Sequence, residues 1–132
     1  IPLRLVGSEM CIRDSGNTTH FCLHVAEQLE KESGWKVEVI DIRSLIPLDK
    51  EAIFESVKKT SKALVVHEDK VFSGFGAELA AMIGTDMFRY LDGPVQRVGS
   101  TFTPVGFNPI LEKEILPDEA KIYEAAKKLL EY

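Results

Sequence analysis

One stretch near the middle of the chain, residues 63–79, constrains the fold more than any other. It begins with a short apolar run, Ala63–Val66, and its shortness and β-branched valines predict a buried strand. The run ends at the polar His67-Glu68-Asp69, and Gly74-Phe75-Gly76 then leads into a helical pattern from Ala77. A strand, a polar edge, a glycine turn and a helix in this order predict one unit of an open α/β sheet. In such sheets, sites lie at the carboxyl ends of the strands.

The flanking segments continue this alternation of strands and helices, which predicts parallel βα units. Apolar spacing and capping residues predict helices over Thr18–Glu32 after Asn17, Lys50–Thr60 after Asp49, Gly76 to about Tyr90, and from Asp118 to Leu130. Apolar runs predict strands over Trp35–Ile42, Ala63–Val66 and Val95–Val98. Residues 101–117 contain four glycine or proline breakers and are predicted to form a long irregular loop.

The first fifteen residues fit neither helical spacing nor strand alternation. The string from Val6 to Ser15 resembles a spurious tract that recurs in conceptually translated environmental sequence. We therefore predict an atypical tract of artefactual origin over residues 1–15, which could still pair as an edge strand, and one domain over residues 16–132.

Composition excludes several classes of function. A net charge of −5 argues against a nucleic-acid-binding surface, which needs a clustered basic face. No apolar run approaches the roughly 20 residues of a membrane span. The two cysteines, Cys11 and Cys22, form no motif, which favours a reduced, cytoplasmic protein.

Three groups of residues suggest chemistry, but each has a simpler structural interpretation that we favour. His67-Glu68-Asp69 could act as an acid/base set, yet a half-buried, hydrogen-bonded histidine beside two exposed acids is the better interpretation. Gly74-Phe75-Gly76 could bind an anion, but it lacks the third glycine of a dinucleotide site and the lysine of a P-loop. His20, Cys22 and His24 could offer only two converging ligands on a helix, fewer than tetrahedral zinc requires. We predict no catalytic, cofactor or metal site.

The ordered set of motifs resembles one family. The motifs, in chain order, are VEVIDIRSLIPLD from Val37, VVHE from Val65 with GFGAE from Gly74, YLDGPVQRV from Tyr90, TPV from Thr103, and Leu116-Pro117. These residues resemble the C-terminal, transketolase-C-like domain of the beta subunit of thiamin-diphosphate-dependent 2-oxoacid dehydrogenases, of the pyruvate and 2-oxoisovalerate types. The resemblance implies a three-layer α/β/α sandwich around a five-stranded, mostly parallel sheet, with the first strand antiparallel.

The same resemblance implies a non-catalytic role in assembly and partner docking. In the parent enzyme, thiamin diphosphate and magnesium would be held by other domains, so we expect this chain alone neither to bind that cofactor nor to decarboxylate a 2-oxoacid. Family members dock the peripheral-subunit-binding domain of the acyltransferase core through an acidic residue before the last strand and the C-terminal carboxylate. These positions correspond to Asp92 and Tyr132 in this sequence.

A two-fold self-association is also predicted, because the helix after Gly76 carries more apolar surface than one sheet face covers. The residues expected at that interface are Gly74, Phe75, Gly76, Met82, Met87 and Phe88. Two alternatives stay open at this point. One is the C-terminal domain of a transketolase, a deoxyxylulose-phosphate synthase or a 2-oxoacid:ferredoxin oxidoreductase, and the other is a free-standing module that binds a small anion at Gly74–Gly76.

Overall fold

A four-stranded parallel sheet lies between two layers of helices. The computed structural model describes residues 10–15, as backbone only, and residues 18–43, 46–101, 103–104 and 108–132. The strands are β1 (Met10–Ser15), β2 (Val37–Asp41), β3 (Ala63–Lys70) and β4 (Gln96–Ser100). The helices are α1 (Thr19–Ser33), α2 (Lys50–Thr60), α3 (Phe75–Asp86), α4 (Pro109–Ile115) and α5 (Glu119–Leu130), with a short 3-10 turn at Phe88–Tyr90. None of the helices within these ranges is long and apolar enough to cross a membrane.

The strand order is β2-β1-β3-β4, and each neighbouring pair is parallel. The α/β sandwich is thus confirmed, while the antiparallel strand that the resemblance implies is not among the described residues. The expectation that the N-terminal tract could pair as an edge strand is wrong in its position, because β1 lies inside the sheet. Ile12 pairs with Val39 on one side and with Leu64 on the other.

Alternation along the strands divides the core into two halves, as a sheet covered on both faces requires. Val37 and Val39 of β2 face α1 and α5, whereas Ile40 faces α2 and α3. In the same way, Leu64 and Val66 of β3 point to the first half. The remaining members of that half include Cys22, Val25, Leu29, Val98, Ile122 and Leu129. The second half includes Ile53, Val57, Ala63, Val65, Leu79, Ile83 and Met87.

Helix ends follow the capping chemistry in the sequence. The Asp49 carboxylate accepts a hydrogen bond from the Ala52 N–H at 3.0 Å and begins α2 at the predicted residue. Asp118 does the same for α5 through the Lys121 N–H. Helix α1 begins at Thr19, and the predicted cap Asn17 lies outside the described residues.

Two predictions about elements were wrong. The helix expected to reach Tyr90 ends at Asp86, and a 3-10 turn follows it. Further along the chain, the Asp92 N–H donates to the Ser61 carbonyl at 2.8 Å. The segment 101–117 was expected to be irregular, yet it contains α4. That helix is stabilised at its start by the Asn108 side chain, which accepts from the Ile110 N–H, and at its end by the Lys121 ammonium, which donates to three carbonyls.

Candidate functional site

His67 lies at the carboxyl end of the buried part of β3, where three glycines surround its ring. Only 3% of the residue is exposed, whereas the neighbouring Glu68 and Asp69 are exposed. A β-carbon added to Gly76 would lie 2.2 Å from two atoms of the His67 ring, and one added to Gly99 would lie 2.7 Å from a third. The same addition to Gly74 would reach the ring at 3.2 Å and the Lys70 carbonyl oxygen at 2.0 Å. The glycines therefore provide the space that the imidazole fills.

Neither ring nitrogen of His67 has a hydrogen-bond partner among the described residues. The histidine that was expected to be half-buried is fully buried, and its ring makes no hydrogen bond of ordinary geometry, although the Asp69 backbone is close enough to favour the protonated ring. Burial lowers the pKa of His67 below its ordinary value, and the nearby Arg97 acts in the same direction, while Asp69 opposes them. Burial therefore favours the neutral ring, which packs between β3, β4 and the start of α3.

The loop from Lys70 to Gly74 is held by contacts across the sheet edge. The Lys70 ammonium donates to the Thr103 carbonyl, and the Arg97 guanidinium donates to the Val71 carbonyl at 2.7 Å. Gly76 is explained by its contact with His67, without any need for an anion at the helix N-terminus. This arrangement agrees with the favoured interpretation of a tight turn with close packing between helix and sheet.

The histidines and the cysteine of α1 point in different directions. Cys22 is buried in the core, His20 is exposed, and the His24 Nδ1 lies 2.6 Å from the Glu119 carboxylate of α5. Within the described ranges, no three histidine, cysteine or acidic side chains converge as a metal site.

The Asp92 turn and the end of α5 meet at the opposite end of the sheet from His67. Asp92 is exposed, and the next residue, Gly93, packs against Tyr132: a β-carbon on Gly93 would lie 3.2 Å from the Tyr132 Cβ and 3.5 Å from Leu129. Tyr132 is itself 63% exposed. The two residues that the sequence predicts for docking are thus brought to one place by the fold, although they are far apart along the chain.

The residues predicted for self-association differ greatly in exposure. Gly74, Gly76 and Met87 are buried within the chain, Phe75 and Met82 are partly buried, and Phe88 is 75% exposed. Beside Phe88, an open apolar groove of about 450 Å³ runs between α3 and the Asp92 turn. Its lining residues are Ala80, Gly84, Phe88, Leu91, Gly93, Pro94 and Val95. If this surface binds a second copy, Phe88 and the groove supply the contact, and the buried members act only by supporting α3.

Sequence reasoning missed two residues next to the region predicted for docking, Ser61 and Lys62. They follow α2, and no sequence pattern marks them, because their partners belong to the Asp92 turn and to α5. Gly99 was missed for the same reason, since its contact with His67 depends on how β3 and β4 pair.

Comparison with known proteins identifies the family. The family model described as "Transketolase, C-terminal domain" matches residues 3–122. The chain belongs to the transketolase C-terminal domain family. It is 43% identical over 95 residues to the "Pyruvate dehydrogenase E1 component subunit beta" of Rickettsia felis, covering 72% of this chain and 29% of that protein. It is 36% identical over 124 residues to the "Acetoin:2,6-dichlorophenolindophenol oxidoreductase subunit beta" of Bacillus subtilis, covering 94% of this chain and 36% of that protein.

The predicted resemblance to beta subunits of 2-oxoacid dehydrogenases is therefore confirmed. The chain spans about a third of the length of these relatives. A solved structure described as a split-gene transketolase, an inactive beta4 tetramer, superposes with a TM-score of 0.80 at 27% identity. That comparison covers 95% of this chain and 40% of the other, and it confirms the transketolase C-terminal-like fold.

Proposed function

We propose that this chain is the C-terminal domain of the beta subunit of a 2-oxoacid dehydrogenase, and that it serves assembly and partner docking. The parent enzyme would decarboxylate a 2-oxoacid oxidatively and transfer the acyl group to a lipoyl group. Thiamin diphosphate and magnesium would be bound by other parts of that enzyme. Two lines support the proposal: the relatives include beta subunits of pyruvate and 2-oxoisovalerate dehydrogenases, and the most unusual buried group here, His67, is occupied with packing.

One observation carries the docking role: the contact between Gly93 and Tyr132. It supports docking at this edge because the exposed Asp92 precedes Gly93 in the same turn, on a chain whose net charge is −5. An exposed acidic turn beside the end of α5 would suit a basic surface, because complementary charges steer association and fix its register. The partner we propose is the peripheral-subunit-binding domain of the acyltransferase core.

The docking role is tested by replacing Asp92 in the full beta subunit and measuring the Kd for a peripheral-subunit-binding domain. Asp92→Asn should weaken binding by about 1–3 kcal/mol, the range for a hydrogen bond to a charged group. The loss should be larger at low salt, where charge steering is strongest. Tyr132→Ala, which removes an exposed side chain beside the Asp92 turn, should also weaken binding.

Glu51→Gln is a matched control, because it removes the same charge from an exposed residue near the other end of α2. At 1.5 Å per residue, Glu51 lies about 15 Å along that helix from the residue that holds the Asp92 turn. Unchanged affinity and salt dependence in both the Asp92→Asn and the Tyr132→Ala protein would mean that the Asp92 turn and the end of α5 are ordinary surface.

We also propose a weak two-fold self-association through α3, with Phe88 of each copy seated against the apolar groove of the other. A single copy leaves Phe88 largely in water, and a two-fold pair would cover the same surface twice. Phe88→Ser should shift sedimentation equilibrium toward the monomer. Ile110→Ser is the control, because Ile110 is similarly exposed but lies on α4. A protein that stays monomeric at high concentration with Phe88 intact would contradict this proposal.

A further inference from the structure

Helix α4 differs from the other α-helices in the described part of the chain, because none of its residues is buried. Its apolar residues face water: Ile110 is 72% exposed and Leu111 is 52% exposed. At about 100° per residue, Ile110, Leu111 and Ile115 lie within about 140° of one another around the helix, while Glu112 and Lys113 lie on the other side. The helix is therefore amphipathic, and its apolar side points into solvent.

Hydrogen bonds at its two ends hold α4 in place. The Asn108 side chain accepts a bond at the start, and the Lys121 ammonium donates to carbonyls at the end. The Thr101 N–H also donates to the Ile115 carbonyl at 3.0 Å, which places the end of α4 beside the end of β4. A helix of seven residues is not stable in water by its own bonds, and packing of an apolar side is what normally stabilises it. The contacts at its ends leave that side unburied, so α4 needs a further surface to cover it.

The loop after β3 extends this apolar surface. The Val71 N–H donates to the Ser100 carbonyl at 3.0 Å, and the Lys70 ammonium donates to the Thr103 carbonyl. The loop therefore lies beside the segment that leads to α4, and its next residue, Phe72, is 64% exposed. We call the exposed apolar residues at this end of the sheet the carboxyl-edge patch. Its members are Phe72, Ile110, Leu111 and Leu116.

A second copy of the chain does not account for this patch. The self-association proposed above uses Phe88 and the groove beside the Asp92 turn, at the opposite end of the sheet. A two-fold pair buries the same surface on both copies, so the copy that covers Phe88 does not also cover the carboxyl-edge patch. The exposed charges of residues 112–114 lie among the apolar residues. Such mixed surfaces are typical of contacts between domains of one chain, which are more polar than permanent subunit interfaces.

We propose that the rest of the same beta subunit packs on the carboxyl-edge patch, with α4 as the central contact. This inference rests on the function proposed above. The chain spans about a third of the length of the beta subunits that it resembles, so most of such a subunit lies outside it. Because that part is joined covalently, its effective concentration at the patch is high, on the order of millimolar for a short linker. A patch of modest size is then enough to hold it.

The test is hydrogen exchange of the amides of residues 112–116, measured by mass spectrometry on the full beta subunit without other subunits. These amides donate within α4. We expect them to exchange much more slowly than in an unstructured peptide, because a covered helix opens rarely. Burying one leucine side chain corresponds to a factor of about 10 to 150 in an equilibrium constant, so Leu111→Ser should speed their exchange by at least about 10-fold.

Lys113→Ser is the matched control, because it introduces the same residue on the opposite side of the same helix, at an exposed position. The loss of helix propensity is similar in the two variants, so Lys113→Ser should speed exchange by no more than about 3-fold. Leu111→Met keeps an apolar side chain of similar volume and should exchange like the unaltered protein. Tenfold dilution and Phe88→Ser should both leave the exchange unchanged, since the contact lies within one chain.

The outcomes separate this inference from the docking role. It is overturned if α4 exchanges like an unstructured peptide in the full subunit, or if Leu111→Ser and Lys113→Ser have equal effects. Slow exchange that requires another subunit, or that disappears on dilution, would also overturn it, because another chain would then cover the patch. Normal binding of a peripheral-subunit-binding domain with α4 exchanging freely would overturn this inference alone. Slow exchange in α4 without such binding would overturn the docking role alone.

Discussion

Gly76→Ala tests the packing of His67 most directly. Gly76 lies in the first turn of α3, and a β-carbon there would be 2.2 Å from the ring. Carbon atoms pack at about 3.5–4.0 Å, so the ring or the helix must move by more than about 1 Å. Overpacking of this kind costs about 1–3 kcal/mol. Alanine recovers about 0.5–1 kcal/mol by its better helix propensity, which leaves a net loss of about 1–2 kcal/mol.

The reasoning is checked by urea unfolding of four proteins at pH 7.5, followed by circular dichroism. Gly76→Ala should lower the free energy of unfolding in the normal background. In a His67→Ala background, where the ring is gone, the same change should raise it by about 0.5–1 kcal/mol. Gly84→Ala is the control, because Gly84 lies in the same helix and a β-carbon there meets nothing within 4 Å. It should stabilise the protein by a similar amount.

An equal effect of Gly76→Ala in both backgrounds would refute the argument. It would show that the glycine is needed for the backbone of the α3 start, and not for the imidazole. If Gly76→Ala raised the free energy of unfolding in the normal background, the close approach of Gly76 to the His67 ring would be refuted.

Two further predictions concern buried polar groups. Because burial lowers the pKa of His67 below its ordinary 6.5, the unfolded chain binds the proton more readily. The contribution of His67 to the free energy of unfolding should therefore be complete above pH 6.5 and should decrease as the pH drops from 6.5 toward the folded-state pKa. In urea titrations between pH 7.5 and 5.5, His67→Gln should flatten this pH dependence. Glu38, 1% exposed on β2, is bonded by Ser56 at 3.1 Å and Lys59 at 3.0 Å. Since Lys59 is half exposed, Lys59→Met should cost about 1–3 kcal/mol, and much less in a Glu38→Gln background, as measured by the same titrations.

These two predictions have their own controls. Lys58→Met, next to Lys59 but pairing with the exposed Glu55, should have a smaller effect. If Lys58→Met and Lys59→Met destabilise equally, the buried carboxylate is not the cause. If the pH slope persists in His67→Gln, groups other than His67 determine it.

Local signals predicted local structure well. The spacing of Ile53 and Val57 and the cap at Asp49 gave α2 with the observed ends. The helix α4 was missed, although Asn108-Pro109 is a start signal, because its C-terminus is stabilised by Lys121 from α5. Strand β3 continues beyond the apolar run to Lys70 because pairing with β4 extends along the polar residues.

The candidate site likewise combines residues that the sequence indicates with contacts that it does not. The sequence indicated Asp92 and Tyr132 by resemblance, but whether they meet depends on the packing of Gly93 against α5. The surroundings of His67 were out of reach for a related reason: Gly74 and Gly76 are close in sequence, whereas Gly99 approaches from another strand. Contacts between distant segments are set by strand order, and periodicity within a segment carries no information about it.

The packing of the first helix against the last has a consequence for folding. Helix α1 buries Cys22, Val25 and Leu29 in the half of the core that α5 completes with Ile122, Ala126 and Leu129. Across the surface of this pair, His24 bonds Glu119 and the Tyr123 hydroxyl bonds Glu32. Contacts between segments so far apart in sequence form late, because a long loop must first be closed. During synthesis, the part of the α1 face that α5 covers is therefore exposed until residues 119–130 have left the ribosome, and chains that stop earlier should aggregate through that part.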